Sequence, residues 1–448
     1  MACHRFHRRG PPRQVAAAES GAGSPHSISV IDLGYTVAMR NSAIAIFLLS
    51  TATLAQPLPM SKRPEDVGIS TSRLERVRAR MKADVESGRI PGGVLLVARN
   101  GKIASFDALG FQERKAQKPM RNDAIFRIAS MTKPIVSVAA MILAEEGKLD
   151  IGAPVAQYLP EFKDAKVGVE KAAPKRPMTV QDLLRHTSGL TYGIFGNSPV
   201  DELYRKSNFF ASKSLAAMVT TIASLPLAHH PGEFWEYSVS TDVLGRVVEV
   251  ASGKDLDAFI AERITAPLKM ADTGFYLNAT QAARMARSDT ATAMPASDPT
   301  VKPAVLSGGG GMLSTAGDYA RFCQMLLNGG ELDGVRILSP KTVALMTSDQ
   351  LPPSTERHTS VALTLGAFGP TPETGTSFGL GFAVRTDPGR NPLPGSVGDF
   401  SWAGITGTYF WVDPKEKLVV VLMIQVPREI DVPYWRQTRT LVYQALTN

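Results

Sequence analysis

The sequence predicts an α/β (α+β) fold: one mainly antiparallel sheet flanked by helices, with an inserted and mostly helical region beside it. Three observations carry this reading. A hairpin pattern, "GGVLLVARNGKIASFDALG" (92–110), turns at Asn100-Gly101 near the start of the chain. A second, "GTYFWVDPKEKLVVVLMIQV" (407–426), stands near its end. Between them, residues from about 156 to 290 read as helix and turn. Strands at both ends with helices between them imply a shared sheet with helices packed on it.

Taken in order, residues 1–38 are rich in Arg, Gly, Pro and Ser and show no periodicity. Then come Met39, Arg40, an apolar stretch from Ala43 to Leu54, and Thr53-Leu54-Ala55. A short basic region, a short apolar core and small residues at −3 and −1 describe a secretory signal peptide. The stretch is too short for a bilayer, which needs about 20 residues. The expectation is translation from Met39, cleavage after Ala55, and a product in the periplasm or outside the cell. No later segment reads as transmembrane. Residues 56–448 then form one catalytic domain, with 156–290 as its helical insertion.

The totals narrow the function classes. The chain has 448 residues, 44% hydrophobic and 20% charged, enough for one large core. A net charge of +8 comes from 49 basic and 41 acidic residues without a block of like charge, so it reads as scattered surface charge rather than a nucleic-acid footprint. The two cysteines, Cys3 and Cys323, form no C-x-x-C, which removes a structural zinc site or a redox pair. Cys323 lies in the helical "YARFCQMLL" as a buried thiol.

In "RLERVRARMKADVESGRI" (73–90), Leu74, Val77, Met81 and Val85 share a helical face, and Gly88 ends the helix. The next helix carries the chemistry. In "FRIASMTKPIVSVAAMILAEEGKLD" (126–150), nearly every position after Ser130 is apolar or small, so the helix is buried all round. Pro134 requires the helix to start just before it, and Gly147 provides the stop. Ser130 and Lys133 therefore lie one turn apart at the helix entrance. A Ser hydroxyl needs a base, and a Lys serves when burial disfavours its charge. The helix N-terminus adds free N–H groups where an oxyanion develops.

In "HHPGEFWEYSVSTDVLGRVVEVASGK" (229–254), Pro231-Gly232 makes a turn and a helix runs from about Thr241 to Gly253. Tyr237 sits in the loop before it, either as a proton carrier facing a cleft or as a core anchor. His229, His230 and Glu233 lack the H-E-x-x-H spacing and read as a turn, not a metal site. In "DFSWAGITGTYFWVD" (399–413), Trp402-Ala403-Gly404-Ile405 reads as a run entering a strand. Its exposed N–H groups and the close approach allowed at Gly404 suit an extended acyl group.

These stretches, with "LLRHTSGLTYG" (183–193) and "SGGGGMLSTAGDYARF" (307–322), resemble the serine β-lactamase-like hydrolases from about residue 64 onward. That superfamily includes class C β-lactamases, penicillin-binding D-Ala-D-Ala carboxypeptidases and family VIII carboxylesterases. The resemblance implies that Ser130 is acylated, Lys133 is its base partner and Tyr237 the second proton carrier. It further implies an oxyanion hole from the N–H groups of Ser130 and Ile405, with Trp402 and Gly404 lining the substrate site. Two departures point to the esterase branch. Val239 stands where β-lactamases carry the Asn of Tyr-x-Asn, and Trp402-Ala403-Gly404 replaces Lys-Thr-Gly. The cation that grips a penicillin or peptidoglycan carboxylate is thereby lost.

The expected function is a secreted carboxylesterase for short acyl esters, working without cofactor or metal. A β-lactamase, D-amino-acid peptidase or acyltransferase comes second, and a non-catalytic binding module on the same fold last. Four other features remain. "SGGGG" lacks the G-K-[ST] of a phosphate loop, and Thr315 with Asp318 reads as a helix start. His186 reads as a hydrogen-bonded loop residue. Phe195, Tyr204, Phe209 and Phe210 mark either a lid or acyl-pocket wall, or a surface helix with buried aromatics. "GTSFG" (375–379) matches the G-x-S-x-G elbow, but a strand-like "LGFAVR" follows it and all seven His residues precede Ser377. It reads as a glycine-flanked loop leading into a strand.

Overall fold

The computed structural model describes residues 57–288 and 297–447. The segment read as a signal peptide lies outside them. The first helix, α1 (Thr71–Glu86), starts at Ser70, whose hydroxyl accepts the N–H of Arg73. It buries Leu74, Val77 and Met81. Strands β1 (Gly92–Arg99) and β2 (Lys102–Glu113) follow as the expected hairpin. Its two turn residues, Asn100 and Gly101, take left-handed φ values of 54° and 74°, the geometry that matches the twist of paired strands.

The rest of the sheet comes late in the chain. After the short β3 (Lys118–Pro119) come β4 (Thr376–Phe378), β5 (Ala383–Arg385), β6 (Phe400–Ala403), β7 (Tyr409–Asp413) and β8 (Leu418–Ile424). The strand order is β3-β2-β1-β8-β7-β6-β5-β4, antiparallel throughout. The first and last long strands are thus neighbours, with Gly93 opposite Ile424 and Arg99 opposite Leu418. Every residue of β8, "LVVVLMI", is buried because helices cover both faces. Alternation along β7 shows this directly. Phe410 packs on Tyr319 of helix α4 (Ala316–Leu327), with ring centroids 5.1 Å apart. Tyr409 packs on Trp435 of the closing helix α6 (Arg428–Tyr443), at 5.6 Å.

Between the two halves of the sheet, α2 (Thr132–Glu145) is buried at every position from Thr132 to Leu143. It packs against α3 (Ser240–Ser252), which ends at Gly253 with φ +70°. The helix α5 (Ser360–Leu365) precedes β4. Two details differ from the sequence reading. Trp402-Ala403 closes a strand rather than entering one, because Gly404 begins the turn into β7, its N–H donating to Thr408 O at 2.7 Å. The centre of "GTSFG" is itself strand β4, because Thr376–Phe378 finds a partner in β5. Among the described residues, no helix is long and apolar enough to cross a membrane.

Candidate active site

Ser130 lies on a 3₁₀ turn, Ala129–Met131, that leads directly into α2. Pro134 is tolerated because it falls in the first turn of that helix, where its missing N–H is not needed. Ala129 takes φ +45°, a costly conformation for a residue with a Cβ. Distant segments brace the turn. Tyr319 Oη donates to Met131 O at 2.8 Å, and the Thr408 hydroxyl to Ile128 O at 3.2 Å.

One turn on, Lys133 is 1% exposed. Its Nζ makes three hydrogen-bond contacts: with Gly309 O at 2.6 Å, Tyr192 Oη at 3.1 Å and Ser130 Oγ at 3.3 Å. The Tyr237 ring lies under the same nitrogen, its centroid 4.5 Å away. Tyr237 is held in place by aromatic neighbours: His186 at 4.8 Å, Trp402 at 5.3 Å and Tyr192 at 5.6 Å. Trp402 Nε1 donates to Tyr237 Oη at 3.3 Å. The predicted Ser130, Lys133, Tyr237 and Trp402 are therefore brought together from segments far apart in sequence.

Burial sets the protonation of the surrounding groups. It pushes the Tyr192 hydroxyl well above its ordinary range, so Tyr192 stays a neutral phenol. Burial, reinforced by the Lys133 charge, holds His186 well below the usual histidine value. His186 is thus neutral; its Nδ1 accepts the Ser238 N–H at 3.4 Å, as the structural reading expected. Burial also raises the Asp242 carboxyl, against the lowering influence of Lys133 and its own hydrogen bonds. Asp242 Oδ1 accepts from Ser307 Oγ at 2.6 Å and Gly309 N at 3.0 Å. It therefore fixes the loop whose carbonyl receives Lys133. A Cβ on Gly309 would lie 2.4 Å from Asp242 Oδ2 and 2.7 Å from Tyr192 Oη, so only glycine fits.

Ser130 opens onto a cavity of about 500 Å³. Tyr237, Trp402, Gly404, Ile405 and Gly309–Gly311 line it, so every remaining predicted site residue adjoins this space. At Gly404 a Cβ would meet Ile128 O at 2.5 Å, so the glycine is required by the protein's own backbone packing. Among the described residues lining the cavity there is no Asp, Glu, Lys or Arg. The aromatic segment divides. Phe195 and Phe210 line the cavity, whereas Tyr204 and Phe209 are buried in the core. Ser377 lies elsewhere, buried, donating to Asp349 and accepting from Arg357 Nη1 at 3.3 Å. His229 stacks on Phe234 at 4.1 Å, and Glu233 pairs with Lys175 at 2.5 Å.

Sequence reasoning assigned no role to Tyr192, Asp242 or Gly309. Tyr192 closes "LLRHTSGLTYG", and Asp242 follows Tyr237 by five residues in "YSVSTD". Asp242 follows Ser240 and Thr241 in the first turn of α3, where an acidic residue is ordinary, so its position carried no distinct signal. The arrangement sets a serine hydroxyl beside a lysine and a tyrosine at a cavity whose lining carries no Asp, Glu, Lys or Arg.

The chain is similar to known proteins in sequence and in fold. The family model described as Beta-lactamase matches residues 77–442. Protein Rv1367c of Mycobacterium tuberculosis is 37% identical over 369 residues, 79% of this chain and 90% of that one. Esterase EstB of Burkholderia gladioli is 32% identical over 367 residues, 76% of this chain and 87% of that one. The structure of EstCE1, a hydrolase with promiscuous acyltransferase activity, matches with a TM-score of 0.69 at 28% identity. That match covers 83% of this chain and 99% of the other.

Proposed function

The chain belongs to the β-lactamase family, and from that premise we propose that it is a serine carboxylesterase cleaving acyl esters through an acyl-enzyme on Ser130. The observation that carries the reading is the 3.3 Å contact of Lys133 Nζ with Ser130 Oγ beside a cavity lined without charge. As Ser130 Oγ bonds to the ester carbonyl carbon, its proton passes to the coupled Lys133–Tyr237 pair. The carbonyl oxygen takes the negative charge, and the N–H groups of Ser130 and Ile405 are its donors. The C–O bond then breaks, and the leaving alkoxide recovers the proton from the pair. Water repeats the sequence on the acyl-enzyme and releases the acid.

Two residues favour an ester over a β-lactam or a D-alanyl peptide. Val239, fully buried, offers no amide to a lactam side chain, and Trp402 stands in place of a carboxylate-gripping cation. Short acyl esters fit the cavity with space left over. Similarity to Esterase EstB supports the same activity. Acyl transfer to an alcohol in place of water is a second outcome, favoured by the apolar lining and by the likeness to EstCE1. The 39–55 segment adds export to this proposal on sequence grounds, and mass spectrometry of the mature N-terminus tests it.

Covalent labelling by a fluorophosphonate tests the nucleophile. Labelling is expected to vanish in Ser130→Ala and to persist in Ser377→Ala; the reverse pattern would overturn the assignment. Side-by-side assays of p-nitrophenyl butyrate and a chromogenic cephalosporin test the substrate class, with the ester expected to turn over and the lactam hardly at all.

A further inference from the structure

We infer that the acyl group this enzyme prefers is a large uncharged one, medium-chain or branched, of about six to ten carbons, held in a closed arm of the cavity. The inference rests on the esterase reading above and concerns which ester that site is built for. The cavity volume, about 500 Å³, falls among sites that enclose drug-sized ligands, so an acetyl or butyryl group leaves most of it unfilled.

The walls of the cavity are not alike. Val361, Leu365, Phe368, Tyr409 and Trp435 are each less than 9% exposed, whereas Ile194 and Phe210 are 63% and 54% exposed. The buried group marks a closed chamber and the exposed pair an open mouth. The chamber exists because β6 pairs with β5 only through Phe400 and Ser401. Trp402 and Ala403 pair in the sheet with β7 alone among the described strands, and α5 with the turn after it walls the space so left.

The polar atoms of the chamber wall are engaged. Trp435 Nε1 donates to Gly407 O at 2.8 Å, and Tyr409 Oη accepts from Arg439 Nη1 at 3.0 Å. Arg439 is in turn paired with Asp399. A polar acyl chain would lose its water there without a partner, whereas an apolar chain gains from burial.

The order of bond breaking assigns the two ends. The alcohol leaves while the acyl group is still bonded to Ser130, so the alcohol must occupy the end that opens to solvent. What remains attached occupies the chamber.

Two substrate series test this. With p-nitrophenyl as the constant leaving group, kcat/KM is expected to rise from acetate to octanoate by up to about fourfold per added methylene. With acetyl held constant, lengthening the alcohol from ethyl to octyl is expected to change kcat/KM little. Leu365→Trp, which narrows the chamber, is expected to cut the octanoate-to-acetate ratio about tenfold or more. Val361→Phe serves as the second narrowing variant if the first fails to fold. A wild-type optimum at acetate or butyrate overturns the inference while leaving the esterase reading intact. So does a length gain confined to the alcohol series. If no ester is cleaved and Ser130 is not labelled, the esterase reading itself falls, and this inference with it.

Discussion

Lys133 is almost wholly enclosed, and its Nζ finds a carbonyl, two hydroxyls and an aromatic face, so its burial is met by specific partners. The same contacts set it beside the Ser130 hydroxyl, where the proposed mechanism needs a proton carrier. Lys133→Ala is expected to lower kcat by about 10²–10⁴ with a smaller change in KM, read by steady-state kinetics on p-nitrophenyl butyrate. The pair was legible in the sequence because a Ser three residues before a Lys at a helix entrance is a local fact. Tyr192 and the Gly309 carbonyl were not. Each reaches Lys133 from 59 or more residues away, and no spacing rule encodes that.

At the scale of elements, local chemistry and burial sometimes oppose each other. Thr315 caps α4, accepting the Asp318 N–H at 3.1 Å, as its spacing predicted. The Asp318 carboxylate accepts from Asp272 N and Thr273 Oγ1, yet burial pushes it up to about 7. A carboxyl that holds its proton more tightly folded than unfolded adds stability fully below its unfolded value, near pH 4. That contribution is lost as pH rises through 7. Chemical denaturation is expected to show the wild-type midpoint falling from pH 5 to 8, and Asp318→Asn showing a smaller fall. The hairpins and α2 were read correctly from pattern alone, since turn chemistry and an unbroken apolar run are local signals. The edges of β4 and β6 were misread because short strands form only where a partner strand is present.

Across the whole molecule, the sheet joins the beginning of the chain to its end through the pairing of β1 with β8, and a buried charge cluster ties its later strands to the closing helix. Asp399 lies between Arg385 of β5 and Arg439 of α6, at 2.8 and 2.5 Å. Arg439→Ala removes one partner of a buried carboxylate and is expected to cost about 3 kcal/mol, measured as a shift in denaturation midpoint. By itself the sequence determined the class of fold, the helix entrance bearing Ser130 and Lys133, and the loss of a carboxylate-binding cation at Trp402. The first two follow from residue type and short-range spacing, the third from the resemblance to β-lactamases. Only the tertiary structure decided which distant groups meet Lys133, that Ser377 is a buried strand residue, and that the cavity has a closed arm. Those depend on strands and helices hundreds of residues apart sharing one core, where packing rather than local preference selects the neighbours.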